Sequence, residues 1–298
     1  MSPLSGFKKL RLATRASLLF VGSLSLVVGL CLFAFNLFFL NSVNRIELNN
    51  LALSSHQADQ AINLRLQQLA ARSVDWAWWD ETWTLLYQGD NAFAARNLNV
   101  DSLHANDVDL MLFIRRDGSL AESALISRHE NQLQPFTDDL WLAIHTPGVL
   151  GSQLATLQQQ PDQRRQPLAG FIRLENTPWL VVVAPVLKSD MHGPVAGWMV
   201  WGLRLTSFFP SQYAGILTAG TILRPASESP ANRPGYQRQP AQIKDVELWS
   251  DGLRISAFTD LHDLNGANIA RIEVNSPRHL YDTAKLTLAM LTGITIVS

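Results

Sequence analysis

Residues Ser73–Trp83 read SVDWAWWDETW and hold four of the chain's nine tryptophans together with two aspartates. Aromatic rings beside a carboxylate are the parts of a cation site. An indole face attracts an ammonium group, and a carboxylate adds an ion pair. The candidate ligand-contacting residues are therefore Asp75, Trp76, Trp79, Asp80 and Trp83, with Asn97 a little further on. A structural reading competes with this one. Tryptophans bury large areas and anchor helices to sheets. A carboxylate taken out of water needs partners, so Asp80 could instead brace nearby backbone, with Asn97 as one partner. Both uses of Asp80 stand at this stage.

Other chemistries find no residues to carry them. The seven histidines are scattered without metal-ligand spacing, and no metal or cofactor is expected. No G-x-S-x-G elbow and no glycine-rich phosphate loop occurs. Asp138 and Asp139 are adjacent and suit a polar helix start better than an acid–base couple. No catalytic residue is assigned, and the chain is not expected to be an enzyme. The single cysteine, Cys31, excludes a disulfide framework and a cysteine zinc site. With 24 basic against 25 acidic residues the net charge is −1, which leaves no electrostatic footprint for nucleic acid.

The elements that must position the aromatic segment begin at a membrane. Ala16–Leu40 contains no charged residue and as a helix would be about 37 Å long, enough to cross a bilayer. Lys8, Lys9, Arg11 and Arg15 precede it, so residues 1–15 are expected in the cytoplasm and the bulk of the chain, 41–283, outside. The run is longer than a signal-peptide core and ends in Phe38, Phe39 and Leu40 rather than in a small-x-small site, which favours an uncleaved anchor. Leu286–Ser298 is again uncharged, and 284–298 reads as the start of a second membrane helix. The chain is thus expected to be the front part of a longer receptor whose output module lies beyond Ser298.

A stripe through Leu48, Leu51, Ser55, Ala58, Ile62, Leu66, Leu69, Ser73, Trp76, Asp80 and Trp83 has a helical period and predicts one helix over Asn41–Tyr87. On it Trp76, Asp80 and Trp83 share a face, as do Asp75 and Trp79. The narrow lower part, Leu48–Ile62, suits a homodimer seam; an ordinary amphipathic helix packed on its own domain is the alternative. Strands follow. Asp109–Arg115 and Leu120–Ile126 flank Asp117-Gly118, a hairpin signal. A helix from Thr137 ends at Pro147-Gly148, and Gln158–Pro167 is a polar loop. Strands are predicted over Leu168–Leu174, Trp179–Leu187 and Val195–Leu205, and a short helix over Phe208–Leu217. After the proline-rich loop Pro225–Pro240, Val246–Trp249, Leu253–Phe258 and Asn268–Val274 read as closing strands. The order predicts an α+β fold, an antiparallel sheet with flanking helices.

Asp75-Trp76-Ala77-Trp78-Trp79-Asp80-Glu81-Thr82-Trp83, followed by Phe93 and Asn97, resembles the D-x-A-x-W-D-x-x-(aromatic) signature of the CHASE type 4 sensor domains. Pro178, Ala184-Pro185-Val186 and then Gly197-Trp198-Met199-Val200-Trp201-Gly202-Leu203-Arg204-Leu205 resemble the family's later strands. Leu203 stands at the family's arginine position and Arg204 one place on. The resemblance covers most of Gln57–Leu205. It implies a PAS-like or Cache-like fold held outside the cytoplasmic membrane of a bacterium, between two membrane helices. It also implies a cytoplasmic output of the diguanylate cyclase, phosphodiesterase or histidine kinase type, cyclic di-GMP turnover first among them. The expected function is the sensory input region of a receptor with an unidentified ligand. A membrane-tethered module that recruits a periplasmic protein through its aromatic surface is the alternative.

Overall fold

The computed structural model describes residues 12–89, 92–145, 148–163, 165–206 and 220–297. The short helix predicted over Phe208–Leu217 lies outside these. The chain divides into two compact units, 1–50 with 277–298, and 51–276.

Helix α1 (Leu12–Ala77) carries the apolar run, which falls in the first unit. Its most apolar 18-residue window has a mean hydropathy of 2.5, and none of that window is buried. Among the described residues α1 is the one helix long and apolar enough to cross a membrane. Side chains such as Leu19, Phe20, Leu26 and Phe33 are more than 60% exposed on it, a surface that fits lipid and not water. The chain's last helix, α7 (His279–Val297), is held to α1 by a small polar cluster. The Tyr281 backbone N–H donates to Glu47 at 3.0 Å, and Arg278 donates to Asn44. The Arg278 guanidinium lies 3.6 Å from the Glu47 carboxylate and 4.0 Å over the Tyr281 ring. Glu47 thereby satisfies an otherwise orphaned N–H in the first turn of α7 and places a negative charge at its positive end.

The second unit is built on two antiparallel sheets. Helices α2 (Asp80–Gln88), α3 (Ala92–Asn97) and α4 (Val100–Asn106) follow α1. Strands β1 (Leu110–Arg115), β2 (Leu120–Ser127) and β3 (Gln132–Gln134) come next. Helices α5 (Asp138–His145) and α6 (Val149–Gln159) separate them from β4 (Leu168–Leu174), β5 (Thr177–Val186) and β6 (Gly197–Arg204). These six strands form one sheet in the order β3-β2-β1-β6-β5-β4. Strands β7 (Gly220–Pro225), β8 (Gln237–Gln239), β9 (Val246–Ser250), β10 (Arg254–His262) and β11 (Asn268–Pro277) form a second sheet in the order β7-β11-β10-β9-β8. The closing strands read from sequence therefore do not extend the first sheet. They pair among themselves.

The first sheet is covered on both faces, which is why its central strands read as unbroken apolar runs. Along β1, Leu110, Leu112 and Ile114 pack with Leu140, Ile144, Leu150 and Leu154 of α5 and α6. The alternate residue Phe113 points the other way and meets Phe93 of α3. Glycines admit the close approaches in β6. A Cβ on Gly197 would lie 2.1 Å from the Ile114 carbonyl oxygen, and one on Gly202 would crowd Leu110 and Trp179 at 3.2 Å. The Asp117-Gly118 turn forms as predicted, with Gly118 at φ +89° and Asp117 accepting from the Ser119 backbone N–H at 2.9 Å. Helix α6 was not foreseen. It restarts directly after Gly148, where an extended backbone begins a second helix instead of only ending the first.

Two expectations about α1 need correction. The stripe proposed as a dimer seam is buried inside this chain's own fold: Leu51, Ser55, Ala58 and Ile62 are all under 5% exposed. Ser55 shares a 2.8 Å hydrogen bond with Thr259 of β10. Further along, buried Arg65 pairs with Asp107, which also binds Arg128 at 2.9 Å, so ion pairs and apolar side chains together fix this face of the helix. The ordinary amphipathic reading is the right one for that face. Nor does the helix run to Tyr87; it stops at Ala77.

Candidate functional site

The break falls in the middle of the aromatic–acidic segment. The Ala77 carbonyl accepts from the Leu187 backbone N–H at 3.2 Å, so a residue of the β5–β6 connection takes a bond that a continuing helix would have made. Trp79 then adopts an extended conformation (φ −92°, ψ 133°), and α2 starts at Asp80 with Asp80 and Glu81 in its first turn, where acids are favoured. Gly89, at φ +78°, ends it. The faces drawn on a single continuous helix therefore do not exist, and the six candidate residues separate into two groups and two outliers.

One group is a clasp on the β5–β6 connection. Asp80 accepts from the Ser189 backbone N–H at 2.9 Å and from its hydroxyl at 3.1 Å. The Ser189 backbone N–H, helped by the hydroxyl, holds the Asp80 carboxyl below the usual carboxylate range. Trp83, buried, donates from Nε1 to the Pro194 carbonyl at 3.4 Å, stacks on Tyr87 at 4.3 Å, and carries the Lys188 ammonium 4.5 Å over its ring. Asp80 thus braces backbone, as one of its two sequence readings allowed, but its partner is Ser189 and not Asn97.

The other group is a cluster of edge-to-face rings. Trp76 lies 6.1 Å from Trp79, 6.0 Å from Phe93 and 5.9 Å from Trp201 of β6. Trp79 lies 5.9 Å from Phe93 and remains 44% exposed, so one of its sides faces solvent. These separations suit favourable ring quadrupole contacts. Trp201 Nε1 is buried and has no hydrogen-bond partner among the described residues. Asp75 is exposed on the last turn of α1. Asn97 turns back on its own helix and donates to the Phe93 carbonyl at 3.1 Å.

Sequence reasoning missed Lys188 and Ser189, which have no local signature and lie more than 100 residues from their partners. It gave Phe93 only as a family position, and Trp201 as a family position inside the predicted strand Val195–Leu205. No group of three or more metal-ligating side chains occurs among the described residues. Two grooves are described, of about 460 Å³ beside β8–β9 and about 380 Å³ between the β4–β5 turn and β7, and none of the six candidates lines either.

The sequence profile of the CHASE4 domain matches residues 61–220, more than half of the 298 residues. The chain is also similar to the methanogenesis regulatory histidine kinase FilI of Methanothrix harundinacea, with 24% identity over 219 residues, 72% of this chain. That alignment takes in 23% of FilI, so the chain spans under a quarter of this relative's length. Among solved structures, the sensor domain of the Vibrio cholerae histidine kinase DctB is 14% identical, covering 78% of this chain and 98% of its own, with a TM-score of 0.42. The Vibrio cholerae LuxQ periplasmic domain is 12% identical over 76% and 98%, with a TM-score of 0.44. The ligand-binding domain of the Pseudomonas fluorescens chemoreceptor CtaA, solved with L-serine, is 13% identical over 80% and 98%, with a TM-score of 0.40. The profile match includes the aromatic–acidic segment and every strand of the first sheet, and by it the chain belongs to the CHASE4 family of sensor domains.

Proposed function

We propose that the chain is the extracytoplasmic input region of a bacterial inner-membrane receptor, which passes a chemical cue to a cytoplasmic output module. The observation that carries this reading is α1 itself. It is one unbroken helix from an apolar run with lipid-type exposure to the rim of the aromatic cluster in a CHASE4 domain. The cue is a small cation or amine. Trp79 offers a partly open ring face for it, and Asp75 an exposed carboxylate four residues earlier. Asp80 is engaged by Ser189 and serves to hold the rim. A ligand there shifts the packing of Trp76, Trp79 and Phe93 at the end of α1. A full switch from 1:99 to 99:1 needs about a 10⁴-fold preference for one state.

The pairing of α1 with α7 supports a second membrane crossing. From Glu47 the apolar run begins seven residues back at Leu40, and from Tyr281 an uncharged, mostly apolar run begins five residues on at Leu286. At 1.5 Å per residue these starts lie within about one helical turn of each other, so both helices turn apolar at one level. The family resemblance favours cyclic di-GMP turnover as the output, and the likeness to a histidine kinase offers phosphotransfer instead.

Topology is tested by labelling. In a Cys31→Ser background, a membrane-impermeant maleimide applied to spheroplasts labels Leu253→Cys, which is 75% exposed, and spares Ser2→Cys. Labelling of Ser2→Cys alone would place the domain in the cytoplasm and end the proposal. Exposed Trp79, Tyr87 and Met191, at 44%, 59% and 52%, favour a second reading in which this corner docks a periplasmic protein. Retention of one such protein by the chain, lost in Tyr87→Ala, would put that reading first.

A further inference from the structure

The two sheets of the second unit meet at strand β4. The backbone N–H of Leu264, in the β10–β11 turn, donates to the Phe171 carbonyl of β4 at 3.2 Å. Leu264 also packs onto Gly170 so closely that a Cβ there would lie 2.2 Å from its Cδ2. Two residues beyond Phe171, Arg173 lines a groove of about 380 Å³ to which both sheets contribute. Small-molecule sites begin at about 300 Å³, so this one suits a compact ligand. From the first sheet come Arg173, Thr206 and the β4–β5 turn. That turn is a two-residue hairpin loop, Glu175-Asn176, with φ of +47° and +63°, and Leu174 pairs with Thr177 across it. From the second sheet come β7 residues Leu223, Arg224 and Pro225, the following Ala226 and Ser227, and Ile269 and Ala270 of β11.

The charged residues that line the groove, Arg173 and Arg224, are both positive. Arg224 gives Nε to Glu273 at 2.8 Å and lies 3.9 Å from Glu228, and Arg233 holds the same two carboxylates at 2.7 and 2.8 Å. Those two arginines and two glutamates balance. The Arg173 guanidinium makes no ion pair or hydrogen bond among the described residues, so it is a surplus positive charge at the groove. The side chains of Asn176, Thr177, Thr206 and Ser227 are likewise without hydrogen bonds among the described residues. The rest of the lining is apolar, with Pro178, Ile269 and Ala270 buried. We infer that the groove binds a small monocarboxylate with a short apolar body. A guanidinium presents paired donors that match the two oxygens of a carboxylate. One surplus positive charge balances one negative charge, whereas a dianion would leave a charge unpaired beside apolar surface. The hydroxyl and amide groups complete the carboxylate's hydrogen bonds, and the apolar residues take the ligand's body. Bound there, the ligand adds a second tie between the sheets beside Leu264. The groove shares no residue with the aromatic corner, so this is a separate site for a ligand of opposite charge.

The test is a calorimetric titration of the full chain in nanodiscs with butyrate, acetate and inorganic phosphate, with empty nanodiscs as the blank. Butyrate should bind saturably at one site. Acetate, two methylenes shorter, should bind about tenfold more weakly, and phosphate more weakly than butyrate. Arg173→Ala should weaken butyrate binding at least about tenfold, as expected for losing a charged hydrogen-bond partner. Because Arg173 is exposed and its guanidinium unpaired among the described residues, near-ultraviolet circular dichroism should not change in this variant. Trp79→Ala should leave butyrate binding as it was. No saturable binding of butyrate, an affinity unchanged by Arg173→Ala, or phosphate bound as tightly as butyrate would each overturn the site. Loss of butyrate binding in Trp79→Ala would move the ligand to the aromatic corner and overturn it equally. If butyrate fails while an amine still binds at Trp79, the groove is no site and the sensor reading stands without it.

Discussion

The two sheets of the second unit are stabilised in different ways. The first is apolar on both faces and closed at one corner by aromatic rings, with Trp79 partly open to solvent. The second is organised around a buried charge. Glu273 of β11, 2% exposed, accepts from Arg224 at 2.8 Å, from Arg233 at 2.7 and 2.8 Å, and from Ser256 at 3.0 Å. Arg233 also holds Glu228 at 2.8 Å and lies 5.3 Å over the Phe258 ring. Each ring pair contributes only about 0.5–1.5 kcal/mol beyond its buried area, whereas a fully satisfied buried ion network rigidifies the elements it joins. Under the proposed function, the first sheet is where the cue acts and the second is its rigid support.

The largest effect should come from removing the charge at the centre of that support. Glu273→Ala leaves two arginines facing a buried gap and should cost about 3–5 kcal/mol, read as a large fall in the urea midpoint. A loss under about 1 kcal/mol would mean the network is not what holds the second sheet. The same network sets a pH limit. Burial raises the Glu273 carboxyl, but hydrogen bonds from Arg233 and Arg224 outweigh it and hold the group at about 2. A depressed carboxylate contributes stability that is present above its ordinary value of 4.5 and lost as pH falls toward about 2. Glu273→Gln should therefore flatten the acid limb of a stability–pH curve between those values, and an unchanged limb would contradict the assignment.

Next in size is Phe93→Ala. Phe93 is 2% exposed and touches Trp76, Trp79 and Phe113, so truncation should cost about 3 kcal/mol. Trp79→Ala, with 44% of the residue already exposed, should cost only about 1 kcal/mol and yet remove ligand response. If Trp79→Ala destabilised as much as Phe93→Ala, the ring would be core and the corner would not be a site. The smallest effect on stability belongs to Asp80→Asn. It should loosen residues 187–194, seen as faster amide exchange there, with β9–β11 unchanged.

Much of the first sheet is legible in the sequence because its determinants are local. The runs that form β1, β4, β5 and β6, and the Asp117-Gly118 turn, carry their own pattern. The helix break is not legible, because nothing in Ala77 or Trp79 disfavours a helix; Leu187 and Ser189, over 100 residues away, supply the bonds that end one helix and brace the next. The split into two sheets is equally hidden. Val246–Ser250 reads as a strand in either sheet, and only its pairing with β10 and β8 decides between them. The periodicity of α1 revealed a stripe without saying whether a second copy or the chain's own strands cover it. The Ser55–Thr259 contact, joining residues 204 apart, answers that.

The most direct test of the sensor reading is a tryptophan-fluorescence titration of the chain in nanodiscs with choline and with L-amino acids. The account predicts a saturable change for at least one amine, lost in Trp79→Ala and in Asp75→Asn while both variants stay folded. A saturable change that survives both substitutions, or no change with any of these ammonium-bearing compounds, would contradict the claim that the open aromatic corner is where the cue binds.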